Sequence, residues 1–118
     1  MMHKQEVTVN KAIHNRLVRL AKARQTTSYG DIAPLAGLDT RKVADRSKIA
    51  RILEEISVYE HSRARPLLSA IVLYTESSSP GQGFFELARS LDRYSGTDEH
   101  SDRQFLSSEI ESVWAQWK

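Results

Sequence analysis

The stretch Ser47–Tyr74, SKIARILEEISVYEHSRARPLLSAIVLY, changes its hydrophobic period midway, and that change decides the fold. In its first half Ile49, Ile52, Leu53, Ile56 and Tyr59 recur at helical spacing as one apolar stripe, with Ser47, Arg51, Glu54 and Val58 turned away from it. This predicts the strongest helix of the chain, with Ile52 and Ile56 nearly inaccessible. The helix should end near His61, because Pro66 cannot continue it and biases Arg65 toward an extended backbone. Leu67–Tyr74 is then mainly apolar on both faces, which predicts a strand buried on both sides. A lone strand leaves its backbone groups unpaired. Candidate partners are Val7–Val9, Thr26–Ser28, the chain beyond the next loop, or the same segment of a second copy, which would make a dimer.

Upstream, Leu38–Ser47 is polar and basic. Before it, a short helix from about Tyr29 to Ala36 is closed by Gly37 at the C′ position. Ser28 and Asp31 fit a capping box, but Pro34 then falls too deep. A start near Asp31 after one irregular turn places Pro34 in the first turn, where its missing N–H costs little. Ile13, Leu17, Leu20 and Ala21 predict an amphipathic basic helix, capped by Asn10, ending near Arg24 and carrying Lys11, Arg16, Arg19 and Lys22. Val7 and Val9 permit a short strand, and Met1–Glu6 reads as a frayed or paired end.

Downstream, Thr75–Gly83 is an exposed turn rich in Ser, Pro and Gly. Phe84, Leu87, Ala88 and Leu91 restore helical spacing. Ser95–Asp102 reads as a disordered loop. A last helix from about Asp102 aligns Leu106, Ile110, Val113 and Trp117, widened by Phe105 and Trp114.

A length of 118 residues predicts one domain, and 40% hydrophobic with 27% charged residues is the composition of a globular chain. No run approaches the roughly 18 apolar residues of a membrane helix, and no signal peptide opens the chain, so the expected location is cytoplasmic. The absence of Cys excludes disulfides, thiolate metal sites and thiol nucleophiles. The net charge of +2 hides an asymmetry: Met1–Pro66 holds thirteen Lys and Arg against seven Asp and Glu, and Leu67–Lys118 holds four against eight. A face that meets nucleic-acid phosphates would lie on the first half. Its densest part is Arg41–Arg51, where Arg41, Lys42, Arg46, Lys48 and Arg51 stand against Asp45 alone.

Other chemistry is sparse. Glu60 and His61 are adjacent and cannot share a helix face, and His3, His14 and His100 lie in separate segments without a metal-ligand spacing. Pro80–Gly83 precedes a helix that could hold a phosphate, yet no Lys-Ser or Lys-Thr follows. The glycines are better read as shaping a turn that lets Phe84 and Phe85 reach the core. Ser69 lacks the flanking glycines of a nucleophile elbow. Trp114 and Trp117 have the spacing of core residues. No catalytic residue, metal site or cofactor is implied.

The order helix, short helix, long helix, strand and loop resembles a winged-helix domain, in which the third helix enters the major groove. Thr26-Thr27-Ser28-Tyr29-Gly30-Asp31-Ile32-Ala33 resembles the Thr-x-Tyr-Gly-Glu-Ile-Ala stretch of O6-alkylguanine alkyltransferases and alkyltransferase-like proteins, and Leu35-Ala36-Gly37 suits the same pattern. In that family the stretch opens the helix-turn-helix, and its Tyr helps rotate a nucleotide from the duplex. The family's Pro-Cys-His-Arg motif is absent, Leu68-Ser69-Ala70-Ile71 standing there, so alkyl transfer is excluded. Its intercalating Arg has no clean match among Arg46, Ser47 and Lys48. Separately, Arg65–Val72 with Pro80–Ala88 is similar to small uncharacterised bacterial proteins.

These resemblances imply a mainly helical α+β fold: a winged-helix-like core over 10–85 with a minimal sheet, and two C-terminal helices over 86–118. The expected function is non-enzymatic binding of double-stranded DNA, in regulation or phage defence. Arg41, Lys42, Arg46, Lys48 and Arg51 would contact phosphates or base edges, and Tyr29 would stand at the helix-turn-helix entrance. The loop Ser77–Gln82 carries no Lys or Arg, which counts against a phosphate-gripping wing. The alternative is a small protein-interaction module, such as an adaptor, immunity factor or complex subunit, without nucleic-acid binding. A hydrolase with an assembled His/Glu site is third.

Overall fold

The computed structural model describes residues 9–118. The expected frayed start, and all of the Val7–Val9 strand except Val9, lie outside that range. Asn10 caps helix α1 (Lys11–Lys22), its side chain accepting the Ile13 N–H at 3.0 Å. Ile13, Leu17 and Ala21, spaced at one turn, are the residues α1 buries.

Strand β1 (Thr27–Ser28) runs straight into helix α2 (Tyr29–Ile32). The expected start at Asp31 is corrected: Ser28 is the cap, its hydroxyl accepting the Asp31 N–H at 3.1 Å. Pro34 is accommodated by a change of helix type. Ala33–Ala36 forms a 3-10 turn with the proline at its beginning, where no N–H is needed. Gly37 ends it at φ 72°, the left-handed conformation that glycine adopts without steric cost.

Helix α3 spans Val43–Ser62, beginning within the polar, basic stretch Leu38–Ser47 expected to precede it. The Asp45 carboxylate reaches back to the Asp39 N–H at 3.0 Å, and Arg46 N–H bonds the Lys42 carbonyl, which fixes the first turn ahead of the apolar stripe. Ile56 is fully buried as expected, but Ile52 is only half-buried. The covered line is Ile49, Leu53, Ile56, Ser57 and Glu60, and Ile52 lies on its flank.

The expected strand Leu67–Tyr74 is the largest correction. Leu68–Ile71 is a 3-10 turn, and only Val72–Leu73 is strand β2. β2 pairs in parallel with β1, Thr27 opposite Val72 and Ser28 opposite Leu73, the intervening helices supplying the crossover a parallel pair requires. With a two-residue partner, the rest of the segment has no ladder to join. It instead packs against α1, α3 and α5, bonding within its own turn (Ala70 N–H to the Leu67 carbonyl at 3.0 Å) and to side chains. The Ser57 hydroxyl accepts the Ser69 N–H at 3.1 Å, and the Glu109 carboxylate accepts the Leu67 N–H at 2.7 Å.

A bridge between Tyr74 and Ser79 closes the following turn. Helix α4 (Gln82–Ser90) buries Phe84, Phe85, Leu87 and Ala88, so both phenylalanines reach the core. The loop expected to be disordered is held at several points. Arg89 donates to the Gly96 carbonyl at 2.8 Å, Tyr94 bonds Asp102, and the Asp98 side chain accepts the Ser101 N–H as cap of helix α5 (Glu99–Gln116). α5 therefore starts ahead of Asp102. The described residues form a mainly helical α+β fold of five α-helices and a two-stranded parallel sheet. One buried cluster runs from Ile13 to Val113.

Candidate nucleic-acid interface and the cavity beside it

Each of the five cations expected to meet DNA is exposed, but they do not form one flat patch. Arg41 is folded onto Asp39, Nη2 to Oδ2 at 2.8 Å and Nε to Oδ1 at 3.0 Å. That guanidinium, with the Arg41 N–H, holds the Asp39 carboxyl down at about 2. Lys42 occupies the cap position of α3 without a side-chain cap bond. Arg46 donates from Nη1 to the Thr40 carbonyl at 2.9 Å and lies beside the buried stripe, while Lys48 and Arg51 fall on the outward face at 100° per residue. Arg51 shares a shallow surface groove with Glu54, Glu55 and Val58. Among the described residues no carboxylate lies within 4.0 Å of the charged nitrogens of Lys42, Arg46, Lys48 or Arg51, whereas Arg65, Arg89 and Arg93 are each paired.

Tyr29 is brought to the same end of the molecule, but as a wall and not as a projecting finger. Its ring lies 4.5 Å from that of Tyr74 at an interplanar angle of 30°, and its hydroxyl accepts the Gly81 N–H at 3.0 Å. Burial pushes its phenol pKa up, so it stays protonated. Tyr29 and Tyr74 flank a cavity of about 480 Å3 that also takes in Arg46 and the beginning of α4. Of the expected site residues, the structure thus gathers Tyr29 and Arg46 at one opening and leaves Lys48 and Arg51 outside it. The turn Thr75–Ser78 presents Glu76 here and no cation, as the lack of Lys and Arg in Ser77–Gln82 foreshadowed.

The sequence reading missed a second constellation, which is buried. Glu60 is fully inaccessible and receives His14 Nε2 at 2.8 Å and Arg65 Nε at 2.5 Å. The Tyr59 and Trp117 rings stand nearly perpendicular to the His14 ring, and the Arg65 guanidinium lies over both of them. On α5, Glu109 accepts Arg93 Nη2 at 2.9 Å besides the Leu67 N–H. Both carboxylates lie at helical spacing within apolar stripes, Glu60 after Leu53 and Ile56, Glu109 between Leu106 and Val113. A charge on a core stripe was the available signal, since a buried carboxylate must be paired. Sequence could not name the distant partners, His14 at 46 residues from Glu60 and the Leu67 N–H at 42 from Glu109.

The Glu60–His14–Arg65 group closes the core beneath aromatic rings, and its carboxylate is shared between the His14 ring and the Arg65 guanidinium. Such sharing by a buried carboxylate ties the interior together. Among the described residues no three His, Asp or Glu stand together as a metal site, and no helix is long and apolar enough to cross a membrane. No family model matches the chain, and no curated protein or solved structure matches it either.

Proposed function

We propose that this protein binds double-stranded DNA without acting on it chemically, using the first three turns of α3 and the segment before it. The observation that carries this is the state of the cations. Lys42, Arg46, Lys48 and Arg51 are exposed within one short segment and lack carboxylate partners among the described residues. Like charges so placed repel one another, and an anionic partner that releases counterions offsets that cost. The resemblance of Thr26–Ala33 to the alkyltransferase-like helix-turn-helix supports the same assignment, with Tyr29 behind the contact surface and not in it.

Changing Arg46, Lys48 and Arg51 together to Ala tests the proposal. All three are exposed, so folding should change by no more than about 0.5 kcal/mol per site. Duplex affinity should fall, and its salt slope should shrink by up to about three phosphate contacts. Unchanged affinity in a folded triple variant would remove α3 as the contact surface. Wild-type protein that ignores duplex DNA would move the assignment to a protein-interaction module.

A further inference from the structure

The cavity beside Tyr29 has a charge opposite to that of its surroundings. Its inner wall is apolar, formed by Ile49, Leu53, Leu73 and Phe84, and one side is the tilted ring pair of Tyr29 and Tyr74. Its volume of about 480 Å3 is that of a small-molecule pocket. Two carboxylates, Glu54 and Glu76, line it, and neither makes a hydrogen bond or ion pair among the described residues. The one cation of the lining, Arg46, donates from Nη1 to the Thr40 carbonyl and keeps its charge, so the lining holds two carboxylates against one guanidinium.

This arrangement selects by charge and shape together. Phosphate and carboxylate ligands are repelled by Glu54 and Glu76, so the cavity is distinct in chemistry from the cationic surface next to it. Tyrosine ring faces attract cations, most strongly where water is partly excluded, and a flat apolar body gains from contact with Tyr74, Leu73 and Phe84. We propose that the cavity binds a small planar organic cation, an amidine, guanidine or aromatic amine, with its apolar face against Tyr74 and its charge toward Glu54 and Glu76. The Tyr29 hydroxyl accepts the Gly81 N–H and keeps its own proton, which adds one hydrogen-bond donor for a polar edge of the ligand.

Benzamidine and benzamide form a matched pair of probes, alike in shape and different in charge. The test titrates each into isotopically labelled protein and follows backbone amide resonances. Benzamidine should shift the amides of Tyr29, Gly81, Gln82 and Gly83, and benzamide should bind about ten-fold more weakly. The double change Glu54→Gln with Glu76→Gln touches two exposed residues and should leave the spectrum folded. It should lower benzamidine affinity by about ten-fold and leave benzamide binding as it was. Tyr74→Ala should weaken both probes. The proposal is overturned by any of four results: no shifts with benzamidine up to about 10 mM, equal affinity for the two probes, full benzamidine affinity in the double Gln variant, or both probes unaffected by Tyr74→Ala. No nucleic acid enters the experiment, so its outcome is independent of the DNA assignment.

Discussion

Replacing Glu60 by Ala would leave the Arg65 guanidinium and the His14 ring without their shared acceptor, in a place that water reaches poorly. Removing one partner of a buried pair costs about 3–5 kcal/mol, and Arg65, about a quarter exposed, places the expected loss near the lower end. Urea unfolding should show the midpoint falling with the slope unchanged, and a loss below about 1 kcal/mol would contradict the tie. Asp39 offers the opposite case, an exposed carboxylate whose effect is on titration. Its folded value of about 2 lies below the ordinary 3.8, so whatever stability it adds is complete above the ordinary value and is lost as pH falls through 2. Carbon-detected NMR titration should find Asp39 near 2 in the wild type and back toward its ordinary value in Arg41→Ala. At this scale the sequence exposes charges well and pairings badly. Arg41–Arg51 was legible because it is contiguous, whereas Glu60 was seen only as a neighbour of His61.

Helices were legible where an apolar stripe and a cap agree, as in α1 with Asn10 and Ile13, Leu17 and Ala21. They were misplaced at their starts where a side chain reaches back across a turn. Asp45 bonding Asp39 sets the beginning of α3, and no periodicity reports that bond. The segment Leu68–Ile71 shows a deeper ambiguity. A short apolar run is consistent with a buried strand or a buried helical turn, and composition does not separate them. What decides is the supply of backbone partners, two residues of β1 on one side and the Ser57 hydroxyl and Glu109 carboxylate on the other. Ser57→Ala should therefore destabilise by about 1–3 kcal/mol, far more than its size suggests, because the buried Ser69 N–H loses its acceptor. Thermal unfolding would register this, and a neutral Ser57→Ala would mean that the 3-10 turn is held by packing alone.

Over the whole molecule, the two halves of the chain differ in charge but not in core. The basic first half and the acidic second half share one buried cluster, and α5 packs on both α1 and the Leu68–Ile71 turn. An acidic residue of the second half reaches a cation of the first, Glu111 with Arg24, while Glu109 pairs with Arg93 inside its own half. Among the described residues they do not reach the beginning of α3. The excess positive charge is therefore left on one end of the molecule, next to a cavity lined by Tyr29 and Tyr74. Fold class and the basic segment were readable from composition and period. The cavity was not, since its lining comes from five separate stretches of chain that only the closed fold assembles. The most direct measurement is a fluorescence-anisotropy titration of the wild-type protein with random-sequence duplex DNA across a range of salt. Four phosphate contacts from Lys42, Arg46, Lys48 and Arg51 predict that log affinity falls against log salt with a slope of about −3 to −4. Binding that is absent at about 50 mM salt, or whose affinity stays flat as salt rises, would contradict the account.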